Sequence, residues 1–396
     1  MIRTTSICAS FLYNYVLTNM KTVDTSQEQS DFSNKCLKIK CLAKTLQNYG
    51  GVLSKLSQIL SLDNENSDVF SNCKPFSKKE TIQYLKDNFK HDLITNIDYN
   101  VYKSGSVGQV HKAIYKNKKI IIKVQYVGLD EQTKTDLELL DKIISYLYCF
   151  TDLKDSIDDI KIKMNEELDY VNEGKNQMML YNIYKKHDFI KIPKILKKFS
   201  TDKILCMNYI RGQSLNTFIE NATMDEKNKL GFNLFTFIFE CLFKYNILYS
   251  DIHYGNFLIQ QNLKLVVLDF GCITYIDDIL KSNLIKLYTS LLNKDEIAFF
   301  SIISDLGICI KPLSDEMKTY MYDYFLLQVE PLLSDNFTFT DEWLHKCSQK
   351  NPEYMKDWIL PKNMVYLNKI PYGSYHIFTK LQLHGNFKEI IHKYIF

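Results

Sequence analysis

Ser250-Asp251-Ile252-His253-Tyr254-Gly255-Asn256, followed by Leu265-Val266-Val267-Leu268-Asp269-Phe270-Gly271, is the stretch that decides how this chain is read. It sets an Asn five residues after an Asp, then a second Asp at the end of an apolar strand. Magnesium is a hard cation that takes oxygen donors, so the Asn256 carbonyl and the Asp269 carboxylate are candidate metal ligands. Asp251 stands apart from them as the candidate base or water-positioning group beside an attacking hydroxyl. Gly271 would let the backbone turn away sharply after Phe270. Alone, Asp-Phe-Gly is no more than a strand ending in a turn; the two segments together read as a magnesium and phosphate-transfer centre.

Two further parts lie upstream in the matching order. Lys103-Ser104-Gly105-Ser106-Val107-Gly108-Gln109-Val110 follows the phosphate-loop pattern Gly-x-Gly-x-x-Gly-x-Val, with Lys103 in place of the first Gly. Gly105, Ser106 and Gly108 are candidates to cradle phosphate through backbone amides that no side chain obstructs. Lys119-Ile120-Ile121-Ile122-Lys123-Val124 is an apolar strand about fifteen residues further on, and Lys123 is the candidate to hold the α- and β-phosphates. The competing reading of Lys123 is an edge-strand or snorkelling lysine. Such a lysine needs a carboxylate to orient it, and Glu173 is the candidate, a solvated acidic helix face being its alternative. Lys203 to Gly212 reads as a strand running into a hinge whose backbone, around Met207 and Ile210, would meet an adenine. The parts imply ATP and Mg2+ as ligands in a protein-kinase-like fold.

In these motifs the chain resembles the UbiB, or aarF-domain-containing, group of atypical kinases, relatives of the Coq-eight proteins. The family's Lys-x-Gly-Gln motif appears as Lys55-Leu56-Ser57-Gln58, and its Ala-rich loop ending in Ser-Ile-Gly-Gln-Val-His as Lys103 to His111. Its Glu-x-Asp motif, with a Glu six residues on from the first, appears as Glu167, Asp169 and Glu173. Its Asp-x-His-Pro-Gly-Asn and Asp-Phe-Gly appear as Asp251, His253, Gly255, Asn256 and Asp269-Phe270-Gly271. The resemblance runs from about residue 36 to about residue 275. It implies that Glu173 belongs to the site. It also implies that the Lys55–Gln58 helix folds back over the site near Glu167 and Asp169, excluding peptides and coupling nucleotide chemistry to lipid.

The departures carry meaning of their own. Ser57 stands where the family has Gly, and Tyr254 where it has Pro. The family's alanines, which the resemblance implies restrain nucleotide use, are replaced by Lys103, Ser104 and Gly105. Gly105 would loosen that restraint, and Lys103 adds positive charge near phosphate. After Asp-Phe-Gly, Cys272-Ile273-Thr274-Tyr275 leads directly to the helical-looking Asp277-Asp278-Ile279-Leu280-Lys281, so no peptide platform ending in Ala-Pro-Glu is evident.

Composition fits an α+β, two-lobed protein-kinase-like enzyme with a helical N-terminal extension. The 396 residues are 46% hydrophobic and 24% charged, enough to bury two cores. A net charge of +3 points to no nucleic-acid partner. Ten cysteines without a Cys-x-x-Cys pair argue for free thiols rather than structural zinc. Residues 1–34, with Arg3, Lys21 and no acid before Asp24, have the look of a mitochondrial presequence or of a disordered polar leader, which leaves a cytoplasmic location as the alternative. Residues 35–95 form the extension, 96–210 the N-lobe and 211–396 the helical C-lobe. Within these, Ser77 is the expected N-cap of a helix over 78–95. Leu230 to Leu248 is expected as a buried helix rather than a membrane span, because Asn233, Glu240 and Lys244 interrupt it.

The functional expectation is an atypical kinase or ATPase that supports ubiquinone or other isoprenoid-lipid metabolism. Its expected partners are nucleotide, isoprenoid or quinone-precursor lipids, a membrane surface and lipid-biosynthesis enzymes. A conventional phosphotransferase for protein or small hydroxylated molecules is one alternative. A nucleotide-binding pseudokinase scaffold is the other.

Overall fold

The computed structural model of the chain describes residues 41, 44–45, 76–89, 92–105, 107–129, 131, 133–135, 137–139, 165–166, 168–308, 312–349, 354, 358 and 362–396. The leader, Lys55, Gln58, Ser106 and Glu167 lie outside them. Two compact units divide the chain: one holds the residues up to Lys175 and Lys194–Tyr209, the other Asn176–Pro193 and Ile210–Phe396. Ile210 begins the longer segment of the second unit, and 176–193 belongs with that unit as well. The reason is strand pairing, described below.

The first unit is built on a curled antiparallel sheet of β1 (Ile94–Thr95), β2 (Lys103–Ser104), β3 (Gly108–Tyr115), β4 (Lys118–Gln125) and β6 (Ile204–Asn208). The order is β1-β3-β4-β6, with β2 also on β3. Alternation along β4 buries Ile120, Ile122 and Val124 on one face, where they meet Ala113 of β3, Cys206 of β6 and Leu85 and Phe89 of helix α1 (Lys78–Asn88). Ser77 caps α1, as its sequence predicts: it accepts from Glu80 N–H while the Glu80 carboxylate accepts from Ser77 N–H. The helix stops at Asn88 rather than 95, because Ile94 and Thr95 pair with Tyr115 and Ile114 as a strand. The β3–β4 hairpin closes through Lys116 and Asn117, both with positive φ (48° and 61°), the backbone of a two-residue primed turn.

In the second unit, β5 (Ile190–Lys191) pairs in parallel with β10 (Leu265–Val267), which is why the 176–193 segment belongs there. The sheet order is β5-β10-β9-β7, with β7 at Gln213–Ser214 and β9 at Phe257–Ile259. The apolar stretch after Leu230 lies in a helix, Met224–Tyr245, followed by β8 (Ile247–Tyr249). Thr223 and Glu226 form its capping box, and Asn246 ends it in the left-handed conformation. Leu234, Phe237, Ile238, Cys241 and Leu242 recur at helical spacing on its buried side. They join Phe257, Val267, Phe270, Phe299 and Phe378 in one core. Among the described residues, no helix is long and apolar enough to cross a membrane.

Candidate nucleotide and metal site

Lys123 sits in β4 between β3 and β6, opposite Val110 and Leu205, so it is not an edge-strand residue. Its Nζ donates to both carboxylate oxygens of Glu173, at 2.7 and 2.8 Å. Glu173 is buried and the Lys123 side chain is 20% exposed. Glu173 is carried by helix α2 (Tyr170–Tyr184), whose start is fixed by two bonds. Asp169 Oδ1 accepts from Asn172 N–H at 2.9 Å, an N-cap interaction. Gln125 Nε2 donates to the Leu168 carbonyl at 2.9 Å, tying the helix start to β4. Asp169, expected as a partner of the extension, therefore also serves as the cap that places Glu173; the expected approach of Lys55 and Gln58 falls on residues outside those described. We expect Lys123→Met and Glu173→Gln each to lower unfolding stability, and the double variant to cost less than their sum by about 1–3 kcal/mol. Additive losses in urea titrations would separate Glu173 from Lys123.

The two loop glycines differ. Gly108 lies inside β3, and a Cβ there would stand 2.3 Å from the Val124 carbonyl oxygen and 2.7 Å from the Tyr170 hydroxyl. Gly105 closes the loop by donating its N–H to the Gly108 carbonyl at 2.8 Å, and a Cβ on it would meet that same oxygen at an ordinary 3.7 Å. Gly108 is thus required by close backbone packing, and the Gly105 amide is engaged within the loop. Gly108→Ala should destabilise the chain by about 1–3 kcal/mol, as overpacked sites do, whereas Gly105→Ala should leave its urea midpoint almost unchanged. Equal effects would contradict this distinction.

Gln109 and His111, the Gln-Val-His end of the loop motif, were given no role by sequence reasoning, yet both are fully buried. Gln109 Oε1 accepts from Phe76 N–H at 2.8 Å, and its Nε2 donates to Thr81 Oγ1 and His111 Nε2, each at 2.9 Å. His111 Nδ1 faces the Asp98 carbonyl at 3.0 Å, so the neutral ring that donates there satisfies every bond in the chain. Burial accordingly pushes His111 below its ordinary value of 6.5, against the opposing pull of its backbone hydrogen bonds and of Asp98. A depressed value means that stability present above pH 6.5 is lost as the pH falls through that value towards the lowered one. Urea midpoints should fall over that window for the native chain and more shallowly for His111→Asn; parallel profiles would show that His111 is not the group responsible.

In the second unit, the β9–β10 hairpin brings the metal-ligand candidates together. Phe257 pairs with Val267, and Leu268 N–H donates to the Asn256 carbonyl at 3.0 Å, so Asn256 lies alongside the residue before Asp269. Asn256 Nδ2 donates to the Asp251 carboxylate at 2.6 Å and to the Asp251 carbonyl at 3.0 Å. That use of the amide nitrogen leaves Oδ1 as the Asn256 atom able to ligate a cation. Asp269 Oδ1 accepts from Gly271 N–H at 3.0 Å, and its carbonyl accepts from Tyr249 Oη at 3.0 Å. Burial, and then the Asp269 and Asp251 charges, push the Tyr249 hydroxyl far up, so it remains a neutral donor. Gly271 has no positive φ, and a Cβ there would meet Asp269 Oδ1 at an ordinary 3.5 Å. The expected glycine-dependent turn is therefore made instead by the Asp269 carboxylate bonding two residues on. His253 Nδ1 accepts from Gly255 N–H at 3.1 Å and shapes the intervening loop.

These donors fit magnesium. An amide oxygen and a carboxylate are hard ligands, and magnesium is commonly held by one or two carboxylates together with substrate phosphates rather than by an all-protein cage. Among the described residues, no group of three His, Cys, Asp or Glu gathers to form such a cage. Burial pushes the Cys206 and Cys241 thiols up to about 12, so neither is a competing nucleophile.

Met207 stands opposite Ile121 in the sheet, while the Cys206 carbonyl and Asn208 N–H bond Leu196 and Lys194. Tyr209 N–H donates to the Lys119 carbonyl. The ladder continues to Tyr209, so the Met207 backbone is engaged in the sheet; Ile210 follows where the ladder ends. Between Gly271 and the helix starting at Asp278 lies only one short strand, Ile273–Tyr275, paired with β8, and Asp277 caps the helix by accepting from Leu280 N–H.

A curled antiparallel sheet with a strand lysine held by a helix glutamate, and an Asp-Phe-Gly segment following a strand beside an Asp–Asn loop, define a protein-kinase-like fold. Residues 68–302 match the ABC1 atypical kinase-like domain, and the chain belongs to that family. It is 28% identical over 310 residues to a probable serine/threonine-protein kinase of Dictyostelium discoideum, covering 71% of this chain and 46% of that one. It is 24% identical over 304 residues to the chloroplastic Activity of BC1 Complex Kinase 8 of Arabidopsis thaliana, covering 70% of this chain and 40% of that one. With the mouse AarF domain-containing protein kinase 1 it shares 26% identity over 233 residues, 55% of this chain and 44% of that one. The chain thus spans about half the length of such relatives or less. The solved Rv3197–erythromycin complex from Mycobacterium tuberculosis matches the fold with a TM-score of 0.69 at 21% identity, covering 93% of this chain and 98% of that one.

Proposed function

We propose that the chain is a UbiB-type atypical kinase or ATPase that uses magnesium and ATP in support of ubiquinone or other isoprenoid-lipid metabolism. The observation that carries this reading is the Asp251–Asn256 hydrogen bond on a loop laid beside Leu268–Asp269. When bound, magnesium would supply charge neutralisation on the phosphates, and Asn256 and Asp269 are the residues to hold it. Asp251 would accept a proton from, or orient, the attacking hydroxyl or water, its position held by the Asn256 amide. Lys123, oriented by Glu173, would hold the α- and β-phosphates, with the Gly105–Gly108 loop over them.

The short connection from Gly271 to Asp278 favours a lipid-linked or hydrolytic role over phosphorylation of peptides, because it leaves no long segment to form a peptide platform. A mitochondrial site of action is proposed from the Ser- and Thr-rich leader of the sequence, which carries Arg3 and Lys21 and no acid before Asp24. The test is to follow γ-labelled ATP with magnesium, alone, with vesicles containing a quinone-precursor lipid, and with a generic protein acceptor. Phosphate release stimulated by the lipid vesicles is the expected result. Transfer to the protein acceptor without lipid-stimulated release would favour the conventional phosphotransferase, and binding without turnover the scaffold.

A further inference from the structure

We propose that Tyr170 is a positioning residue for Lys123. Its ring lies fully buried, with the Lys123 ammonium 4.8 Å from the ring centroid. A cation within about 6 Å of an aromatic face is attracted by the ring quadrupole, and more strongly where water is excluded. At its other end the Tyr170 hydroxyl packs under Gly108, 2.7 Å from where a Cβ would stand. Tyr170 is the first residue of α2, held by the Asp169 cap and by the Gln125 bond to Leu168. One side chain therefore touches both the lysine and the backbone at the start of β3.

The consequence is a fixed register between the loop strand and the lysine. Glu173 neutralises the ammonium from one side, and the ring gives it a second surface to rest on. Without the ring, the four-carbon stem of Lys123 could swing while keeping its charge partner. The aromatic ring, rather than the hydroxyl, is the part that acts on Lys123; the hydroxyl acts on Gly108.

The role in nucleotide binding rests on the function proposed above, so the test has one arm that does not. In the full-length chain without nucleotide, the acylation rate of Lys123 by an amine-reactive ester is followed by mass spectrometry. Tyr170→Leu should raise that rate about fivefold or more, and Tyr170→Phe should stay within about twofold of the native rate. In the second arm, Tyr170→Leu should weaken magnesium-ATP affinity about tenfold, with no further loss when introduced into Lys123→Met. If thermal melting shows that Tyr170→Leu does not fold, Tyr170→Met takes its place in both arms. An unchanged acylation rate would overturn the proposal, as would an equal affinity loss in the Lys123→Met background, which marks a merely structural residue. A native chain that binds no ATP would instead defeat the functional reading, leaving the acylation arm to judge Tyr170.

Discussion

Asp269→Asn is expected to abolish the magnesium dependence of nucleotide binding while leaving the chain folded. The substitution is clean because an asparagine keeps a side-chain oxygen to accept from Gly271 N–H, and the Tyr249 hydroxyl bonds the backbone carbonyl, which is untouched. What it removes is the negative charge that a hard divalent cation needs. The loss in magnesium-supported ATP affinity should be on the order of a hundredfold, at the upper end of the 10–100-fold seen when a residue merely supporting a metal ligand is lost. Calorimetric titrations with and without magnesium would show the two affinities converging. A folded variant with native magnesium-dependent affinity would remove Asp269 from the metal site.

Asp251→Asn should give the opposite pattern. The carboxylate accepts from the Asn256 amide at 2.6 Å, and an asparagine oxygen can accept the same bond, so the loop and the Asn256 ligand oxygen should hold their places. Nucleotide affinity should then change little. Turnover should fall roughly 10²–10⁴-fold, the usual contribution of a positioned general base, because the proton-accepting charge is used chiefly in the transition state. The split between binding and turnover is diagnostic. Normal turnover with weakened binding would reassign Asp251 to ground-state binding.

Much of this arrangement is legible in the sequence because its chemistry is local. The Ser77 cap, the apolar run of β4 around Lys123 and the Asp-Asn and Asp-Phe-Gly spacings all lie within a few residues of the feature they specify. The pairing of Ile190 with Leu265 and the packing of Leu180 and Tyr184 into the second core do not, and they place the 176–193 segment in the second unit. The hairpin at Lys116-Asn117 carries no glycine to announce its left-handed backbone. Gln109 and His111 look like ordinary polar strand residues until the burial of β3 against α1 makes their hydrogen bonds obligatory. Tyr170 carries no signal in the sequence for a similar reason: an aromatic next to Asp169 is unremarkable until the fold sets its ring against the Lys123 ammonium. Gly271 shows the reverse case: the sharp turn expected of a glycine is held by the Asp269 side chain accepting from Gly271 N–H.

If, as proposed, this chain binds a nucleotide through magnesium held by its own oxygen donors, its ATP affinity depends on the ion. Calorimetric titration of the native full-length chain with ATP, in the presence and absence of magnesium, tests it most directly. Saturable binding that strengthens markedly with magnesium is expected; no ATP binding under either condition, or binding indifferent to magnesium, would overturn the proposal.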